Sequence, residues 1–600
     1  MGNRYARALV FLALLWAAAL EEAACGPGQP GAAVEPPVGA PSPDAAETGP
    51  LCTHPLFCWE QPVPQGNDLL AVHATNRGEV WAVGTFGTIL RHNGRGWTAW
   101  PSGTRATLRG VWDAGREAWA VGDEGTVLRF DGTAWSVVPS GTTVDLHAVH
   151  GARDAVLAVG ERGTILRLRA GSVEPIGSGT VEDLFAVWGD AQQVLAAGAR
   201  GTIVRSQGGG FTRVSSGTVR DLHALWGRSA SEIFAAGASG TLLRYDGRVW
   251  SQEVVGTGAD LVALWGTAGE LYALGVGGLL LSVRGTATRM EHLGRNLRAV
   301  GGTPAGGAVA VGDRGEIFRW DGNRWSAEHR SITAARLLGG WDGGAGHVWA
   351  VGPVGEALHH DGASWRRVPL PPQAAPVAVW GSGPADLWAV GNGVFHFDGQ
   401  SWQAVPAPEA QLYGVWGSGP RNVWAVGSRG ALLHYDGVSW RPMPLPQSVR
   451  RDLTLASVAG SGPSDVWAVG EAGTILHHDG SAWQAVPAPA EAQGAFLTAV
   501  WAADAAHAWI VAANGMLLRH EGGRWSALPQ SAPLSGLRAL WGSGPSDVWA
   551  VGQGVLLHHD GQRWISLPPV GDMALNAVFG SGATMVRLLG DRGTILRLRR

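Results

Sequence analysis

Apolar and polar positions follow a short block that returns from Val80 to the end of the chain. It is cleanest at Val466–Trp483, VWAVGEAGTILHHDGSAW. Each apolar piece is four to six residues, rich in β-branched and aromatic types and bounded by Gly, Asp or Pro, which predicts strands. No apolar stripe at helical spacing follows the N-terminal segment. The block therefore reads strand, Gly-bounded turn, strand, Asp-Gly turn, and a strand opened by Trp, with L-x-A-V-W-G adding one strand in front. Asp-Gly, as in FDGTAW (Phe130–Trp135), tolerates the positive φ of a tight hairpin.

Aligned on the glycine of WAVG, the block recurs at Gly84, Gly122, Gly160, Gly198, Gly237, Gly275, Gly312, Gly352, Gly391, Gly427, Gly470, Gly552 and Gly590, with Ala512 in that place once. That makes fourteen repeats, 36 to 43 residues apart. Four short strands in each such unit predict an all-β chain of β-propeller blades. Tryptophan supports this: 28 of the 31 fall on three positions of the unit, on its first strand, on its second, or just after the Asp-Gly turn. Indoles so placed are expected between neighbouring sheets, each burying about 150–250 Å².

Propellers usually hold four to eight blades, so fourteen repeats predict two tandem seven-bladed rings. Signatures change after the seventh repeat. Ser-Gly-Thr exits (Ser102–Thr104, Ser140–Thr142, Ser178–Thr180, Ser216–Thr218) give way to GSGPxD/N at Gly381, Gly417, Gly460 and Gly542. Arg91, Arg129, Arg167, Arg205, Arg244 and Arg319 on the third strand give way to His359, His396, His434, His477 and His558. The last repeat, ending GTILRLRR, is one strand short, while Phe57–Asp68 reads as a fourth strand with nothing before it. The expected closure has the Trp59 strand complete the blade of Gly312 and the Trp325 strand complete the blade of Gly590, latching both rings. The domains so expected are 1–25 signal peptide, 26–54 Pro/Gly/Ala-rich tether, 55–321 first propeller and 322–600 second propeller.

W-A-V-G-x-x-G-T-I-L followed by D-G-x-x-W resembles the BNR-type propeller repeats of bacterial envelope proteins and of photosystem II stability/assembly factors. It is also similar to the Asp-box turn of sialidases, of which Asp479, Gly480 and Trp483 remain while the Ser and Thr are missing. The resemblance implies the propeller fold across Phe57–Arg600 and says little about activity. From the sialidase side it would imply an arginine cluster, a Tyr–Glu pair and an acid/base Asp, which the five tyrosines do not supply.

A net charge of −4 and a pI near 6.6 argue against nucleic acid, which needs a basic footprint. All 45 basic residues are Arg, so lysine Schiff-base chemistry is excluded. Arg4 and Arg7 before the apolar run Ala8–Leu20 predict an export signal. Glu22-Ala23-Ala24-Cys25 looks like a degenerate lipobox, with Glu22 where Leu is usual, and makes Cys25 the candidate lipidation site. An outer-membrane or cell-surface lipoprotein is expected, the alternative being a soluble periplasmic or secreted protein. Cys52 and Cys58 are left as a candidate disulfide in an oxidising compartment, or as two free thiols.

Neither G-x-S-x-G nor H-E-x-x-H occurs, and the G-x-G-x-x-G of Gly26–Gly31 lies in the tether with no strand before it. The pairs His359–His360, His477–His478 and His558–His559 are expected to point to opposite faces of separate blades and to hold no metal. Asp145, Asp183, Asp221 and Asp260 are expected to bond their own turns. What varies is the pair inside G-x-x-G, which makes a candidate binding face of Asp123, Glu124, Glu161, Arg162, Arg200, Asp313, Arg314, Arg429, Asp591 and Arg592. No catalytic residue, cofactor or metal is expected. The expected function is a non-enzymatic binding or assembly scaffold, with an envelope protein favoured as partner, polysaccharide possible, no nucleic acid, and membrane contact only through the lipid. The alternatives are a sialidase-like glycoside hydrolase, which should show Arg, Glu and Asp breaking the repeat at one ring mouth, and a lectin, which should expose Trp100 or Trp320.

Overall fold

The computed structural model describes residues 51–599 apart from 55, 63–64, 76, 116, 153–154, 286, 294–295, 303–306, 329–331, 530–534 and 572. Cys25, the signal and the first part of the tether lie outside the described residues. The described residues form fourteen four-stranded antiparallel sheets. Sheet 1 is Leu69–Ala74, Val80–Gly84, Ile89–His92 and Trp97–Ala99, and sheets 2 to 14 follow in chain order. Within sheets 1–7 and within sheets 8–14 the first strand of each sheet packs on the first strand of the next. That of sheet 7 (Leu297–Gly302) also packs on that of sheet 1, and that of sheet 14 (Leu575–Gly580) on that of sheet 8 (Gly339–Asp342).

Local chemistry explains each hairpin. In the outer turn the Asp carboxylate accepts the N–H groups two and three residues on, as Asp246 does from Arg248 at 2.8 Å and Val249 at 2.9 Å. Such bonds favour the ionised form and hold these carboxyls below their usual range; at Asp131 the Thr133 hydroxyl, then the two N–H groups, bring it to about 2.

Two Trp positions knit neighbouring sheets. The Trp on a second strand meets the fourth-strand Trp of the following sheet edge to face, as in Trp81–Trp135 (5.3 Å), Trp424–Trp483 (5.2 Å) and Trp467–Trp525 (5.2 Å). Such T-shaped pairs contribute about 0.5–1.5 kcal/mol beyond their burial. The Trp on a first strand lies over the glycine that follows the Trp position in the first strand of the next sheet. A Cβ on Gly227 would stand 2.7 Å from the Trp188 ring, and one on Gly302 would stand 2.4 Å from Trp265. Apart from His150, which is followed by Gly189, departures from this pairing come in pairs. Ala459 is followed by Ala502, Gly301 by Ala74, His73 by Asp113 and Phe579 by Asp342.

The closing strands differ from the expected exchange. Phe57–Gln61 pairs with Ile595–Leu598 and completes sheet 14, while Trp325–Ala327 stays in sheet 7 beside Ile317–Trp320. The Trp325 strand is one Asp-Gly hairpin from its partner, so local closure costs far less chain entropy than an exchange across the molecule. The N-terminal strand has no local partner, and sheet 14 has none for its edge. The register differs too: Phe57, opposite Leu598, takes the place of the usual fourth-strand Trp and packs edge to face on Trp549 at 5.7 Å. Trp59, two residues on, is fully buried, with its indole N–H donating to Thr53 Oγ1.

Three further features fix this strand. A disulfide joins Cys52 and Cys58. Leu51 is buried among Leu69, Leu90, Val309 and Val311 of sheets 1 and 7. Glu60 receives the Arg587 Nε (3.1 Å) and the Trp365 indole N–H (3.1 Å), while Arg587 Nη1 donates to Asp342 at 2.7 Å. Arg587 stands where eight other second strands carry Trp, and its side chain is 2% exposed.

Candidate functional site

Nine of the G-x-x-G turns share one backbone form. The second inner residue is left-handed, with φ between 52° and 58° at Phe86, Glu124, Arg162, Arg200, Ser239, Arg314, Arg429, Ala472 and Arg592. The acids before the first strands answer these turns, and here the structure corrects the expectation that they bond their own. Asp145 Oδ1 accepts the N–H of Glu124 in the preceding sheet at 2.9 Å, and Asp183 accepts that of Arg162 at 2.8 Å. Asp221 accepts that of Arg200 and Asp260 that of Ser239, at 2.8 and 2.7 Å. Asp68 of sheet 1 accepts the N–H of Arg314 in sheet 7 at 2.6 Å. Each carboxylate staples the lead-in of one sheet to the turn of its neighbour, so turns and lead-in segments share one face.

The candidate residues divide on that face. Glu124, Arg162, Arg200, Arg429 and Arg592 are exposed, while Asp123, Glu161, Asp313, Arg314 and Asp591 are half-buried. Asp123 is bound by Arg109, Asp313 by Arg298 at 2.7 Å, and Arg200 pairs with Glu182 at 2.7 Å. Asp591 lies 3.0 Å from Arg336 Nε as an ion pair and accepts from Asn576 Nδ2 at 2.8 Å. The residue after the leading Leu of each first strand completes the face toward the inner strands. In sheets 3 to 5 these are His147, Phe185 and His223, whose rings form an arc with spacings of 5.5 and 5.6 Å. Burial, then the nearby Arg109 charge, lowers the His147 pKa. Sequence reading missed this position because it varies, although its fixed offset from the conserved Leu marks it.

The His pairs of the later sheets serve packing. The first His lies on the Trp of its own second strand, as His477 does on Trp467 at 4.1 Å, and bonds the acid of GSGPxD, here Asp465 at 2.8 Å. Ser461 bonds the other carboxylate oxygen at 2.6 Å. The carboxylate thus sits between Ser and His, so the imidazole cannot take the Ser proton as a catalytic base would. The second His faces the Trp of the preceding sheet, as His478 does Trp424 at 4.9 Å. Among the described residues no three His, Cys, Asp or Glu side chains converge as a metal group. No described Trp is exposed, Trp100 and Trp320 included.

On the opposite side of the first sheets His73 and His150 sandwich Trp112, at 4.2 and 4.1 Å, which leaves neither indole face open to a sugar. Burial pushes the His73 imidazole down to about 4 and His150 to about 3. Unfolded, both titrate near 6.5, so the unfolded chain binds more protons between pH 6.5 and about 4, and stability falls as pH falls through that window. Thermal unfolding of the first seven sheets should shift downward on acidification from pH 6.5 to about 4, and His150→Leu should flatten that slope. An unchanged slope would show that the imidazoles charge freely in the folded state.

No protein-family model and no curated protein sequence matches the chain. Solved structures do. PorZ, an essential bacterial surface component of the type-IX secretion system of Porphyromonas gingivalis, superposes with a TM-score of 0.61 at 13% identity, over 89% of this chain and 86% of PorZ. The GH74 xyloglucanase of Xanthomonas campestris superposes with a TM-score of 0.55 at 15% identity, over 91% of this chain and all of that one (100%). The fold is a β-propeller. YCF48 from Cyanidioschyzon merolae matches 45% of the chain at 18% identity with a TM-score of 0.38, too low to bear on the reading.

Proposed function

We propose that this β-propeller chain closes as two seven-bladed rings of BNR-type repeats, and that it acts as an exported, non-enzymatic binding or assembly scaffold of the bacterial envelope. The rings are sheets 1–7 and sheets 8–14, the second completed by Phe57–Gln61. The contact of sheet 7 with sheet 1, the Asp68–Arg314 staple and the contact of sheet 14 with sheet 8 support this closure. Export and a lipid on Cys25 rest on the N-terminal sequence, and the likeness to the surface component PorZ fits them.

One observation carries the functional reading. Nine turns, six in sheets 1–7 and three in sheets 8–14, hold a side-chain-bearing residue in the left-handed region, where glycine would be unstrained and where other residues are disfavoured by about 1–2 kcal/mol. Several of these positions are exposed Arg or Glu. Strain kept at exposed positions suits a surface selected for contact. Arg162→Gly should leave stability unchanged or raise it by up to about 1 kcal/mol while weakening partner binding. Loss of stability in chemical unfolding would show that the Arg side chain supports the fold.

The partner proposed is a protein of the envelope. Cross-linked capture with the full-length chain from native envelopes should yield one defined protein in near-equal amount, reduced by Arg162→Gly with Arg200→Gly. The likeness to a xyloglucanase favours a second, carbohydrate-active reading. Polysaccharide competed off by free sugar would replace the scaffold by a lectin, and recovered sugar that came back shortened would make the chain a hydrolase.

A further inference from the structure

Between sheets 1 and 2 both members of the Trp–Gly pair are replaced: His73 stands for the Trp and Asp113 for the glycine. His73 leans on Trp112, ring centroids 4.2 Å apart, and the space a Trp would fill beside position 113 stays open. A cavity of about 360 Å³ lies there, with His73, Arg77, Glu79, Trp112 and Asp113 in its lining. Ligand pockets commonly measure about 300–1,000 Å³. The cavity is on the side opposite the G-x-x-G turns, where first strands end and second strands begin.

The same double replacement occurs between sheets 14 and 8, at Phe579 and Asp342. There Asp342 Oδ1 accepts the Gly344 N–H at 2.9 Å, and Oδ2 accepts Arg587 Nη1 at 2.7 Å. Asp113 is held in the same way. Its Oδ1 accepts the Gly115 N–H at 2.5 Å, and its Oδ2 accepts the Trp81 indole N–H at 2.9 Å. Trp81 and Arg587 occupy the same place on a second strand. The two aspartates thus differ in the donor: a guanidinium answers Asp342, and a neutral indole answers Asp113. Neither neighbour makes up the charge. Glu79, the other carboxylate of the cavity, is itself bound by Arg91 at 2.9 Å, and burial keeps the His73 imidazole neutral at pH 7. An ionised carboxylate has about four acceptor sites, so each Asp113 oxygen keeps one for a further donor.

We propose that this cavity binds a guanidinium group, which supplies to Asp113 the charge that Arg587 supplies to Asp342. The site lies away from the strained turns and does not depend on the scaffold reading. A guanidinium suits it better than an ammonium, because its planar fork delivers two parallel N–H bonds, one to each carboxylate oxygen. Among the described residues no three ligating side chains converge, so the cation expected is organic rather than a metal ion. Arg77 is exposed at the rim, and its like charge opposes the ligand.

The test titrates the full-length chain at constant ionic strength with acetyl-Gly-Arg-Gly-amide, its citrulline and lysine counterparts, and agmatine. The arginine peptide should bind about tenfold or more tightly than the neutral, similarly shaped citrulline peptide, and more tightly than the lysine peptide. Agmatine binding as well as the arginine peptide would support a free guanidino compound as ligand, and weaker binding would support an arginine of a partner protein. Asp113→Asn should weaken the arginine peptide about tenfold or more, with Trp emission and unfolding midpoint showing that the variant is folded. Arg77→Gln should tighten it about two- to fivefold. If Asp113→Asn fails to fold, the citrulline comparison and the exposed Arg77→Gln still decide. Equal binding of the arginine and citrulline peptides, a lysine peptide that binds as well or better, unchanged affinity in folded Asp113→Asn, or weaker binding in Arg77→Gln would each overturn the site.

Discussion

Replacing Arg587 by Leu should destabilise the later sheets by about 3–5 kcal/mol, because it removes the guanidinium from buried Asp342 and leaves buried Glu60 with only Trp365 and Arg597. Glu60 is 8% exposed, the Asp342 side chain 1%, and Arg587 bonds both. The guanidinium therefore stabilises less by what the pair adds than by what its removal leaves behind. Restoring the usual residue at 342 and removing the other charge, as Arg587→Leu with Asp342→Gly and Glu60→Leu, should recover most of the loss. Chemical unfolding, with hydrogen exchange of Val586–Gly590 and Ile595–Leu598 as the local reading, checks both. A single variant within about 1 kcal/mol of the parent would show that the carboxylates find water or protons instead.

The pairing of first-strand Trp with the next glycine makes the second large prediction. Trp188 is 7% exposed and covers Gly227. Trp188→Ala should cost about 3–5 kcal/mol by burial lost and cavity formed. Gly227→Ala forces a methyl into the ring and should cost about 1–3 kcal/mol. Made together they should cost clearly less than the sum, since the small residue removes the clash. The chain already contains that combination at Ala459 and Ala502. A double-mutant cycle adding within about 0.5 kcal/mol would show the two sites to be independent.

The sequence carried the strands, the turns and the three Trp positions because each is a local pattern repeated many times. What it hid lay between repeats. The Asp before a first strand is periodic whether it bonds its own turn or the neighbour's, so Asp145 and Asp183 could not be assigned from period alone. The left-handed turn residue was hidden because Arg162 and Glu124 are not the residues that usually mark positive φ. By residue identity Trp59 matches the fourth-strand Trp. A period of two allows Phe57 the same face, and packing on Trp549 selected it. The Trp–Gly pairing was readable in principle, since Gly301 with Ala74 and Ala459 with Ala502 depart together. Nothing in the repeat pointed to the contact of Arg336 with Asp591, which exists only because sheet 14 lies beside sheet 8.

The strand Phe57–Gln61 also sets an order of events. Thirteen sheets close through hairpins within one repeat and can form as the chain emerges. The fourteenth needs Glu60 and Arg587, 527 residues apart, to meet. Non-local closure of this kind is slow compared with hairpin formation. Until it happens, the first-made strand has no partner and the last-made sheet has an open edge. An open edge accepts any suitable strand, including Phe57–Gln61 of a second copy. At high concentration, refolding should therefore yield strand-exchanged dimers, and a disulfide that keeps Cys58 beside Cys52 would limit how far that strand can stray.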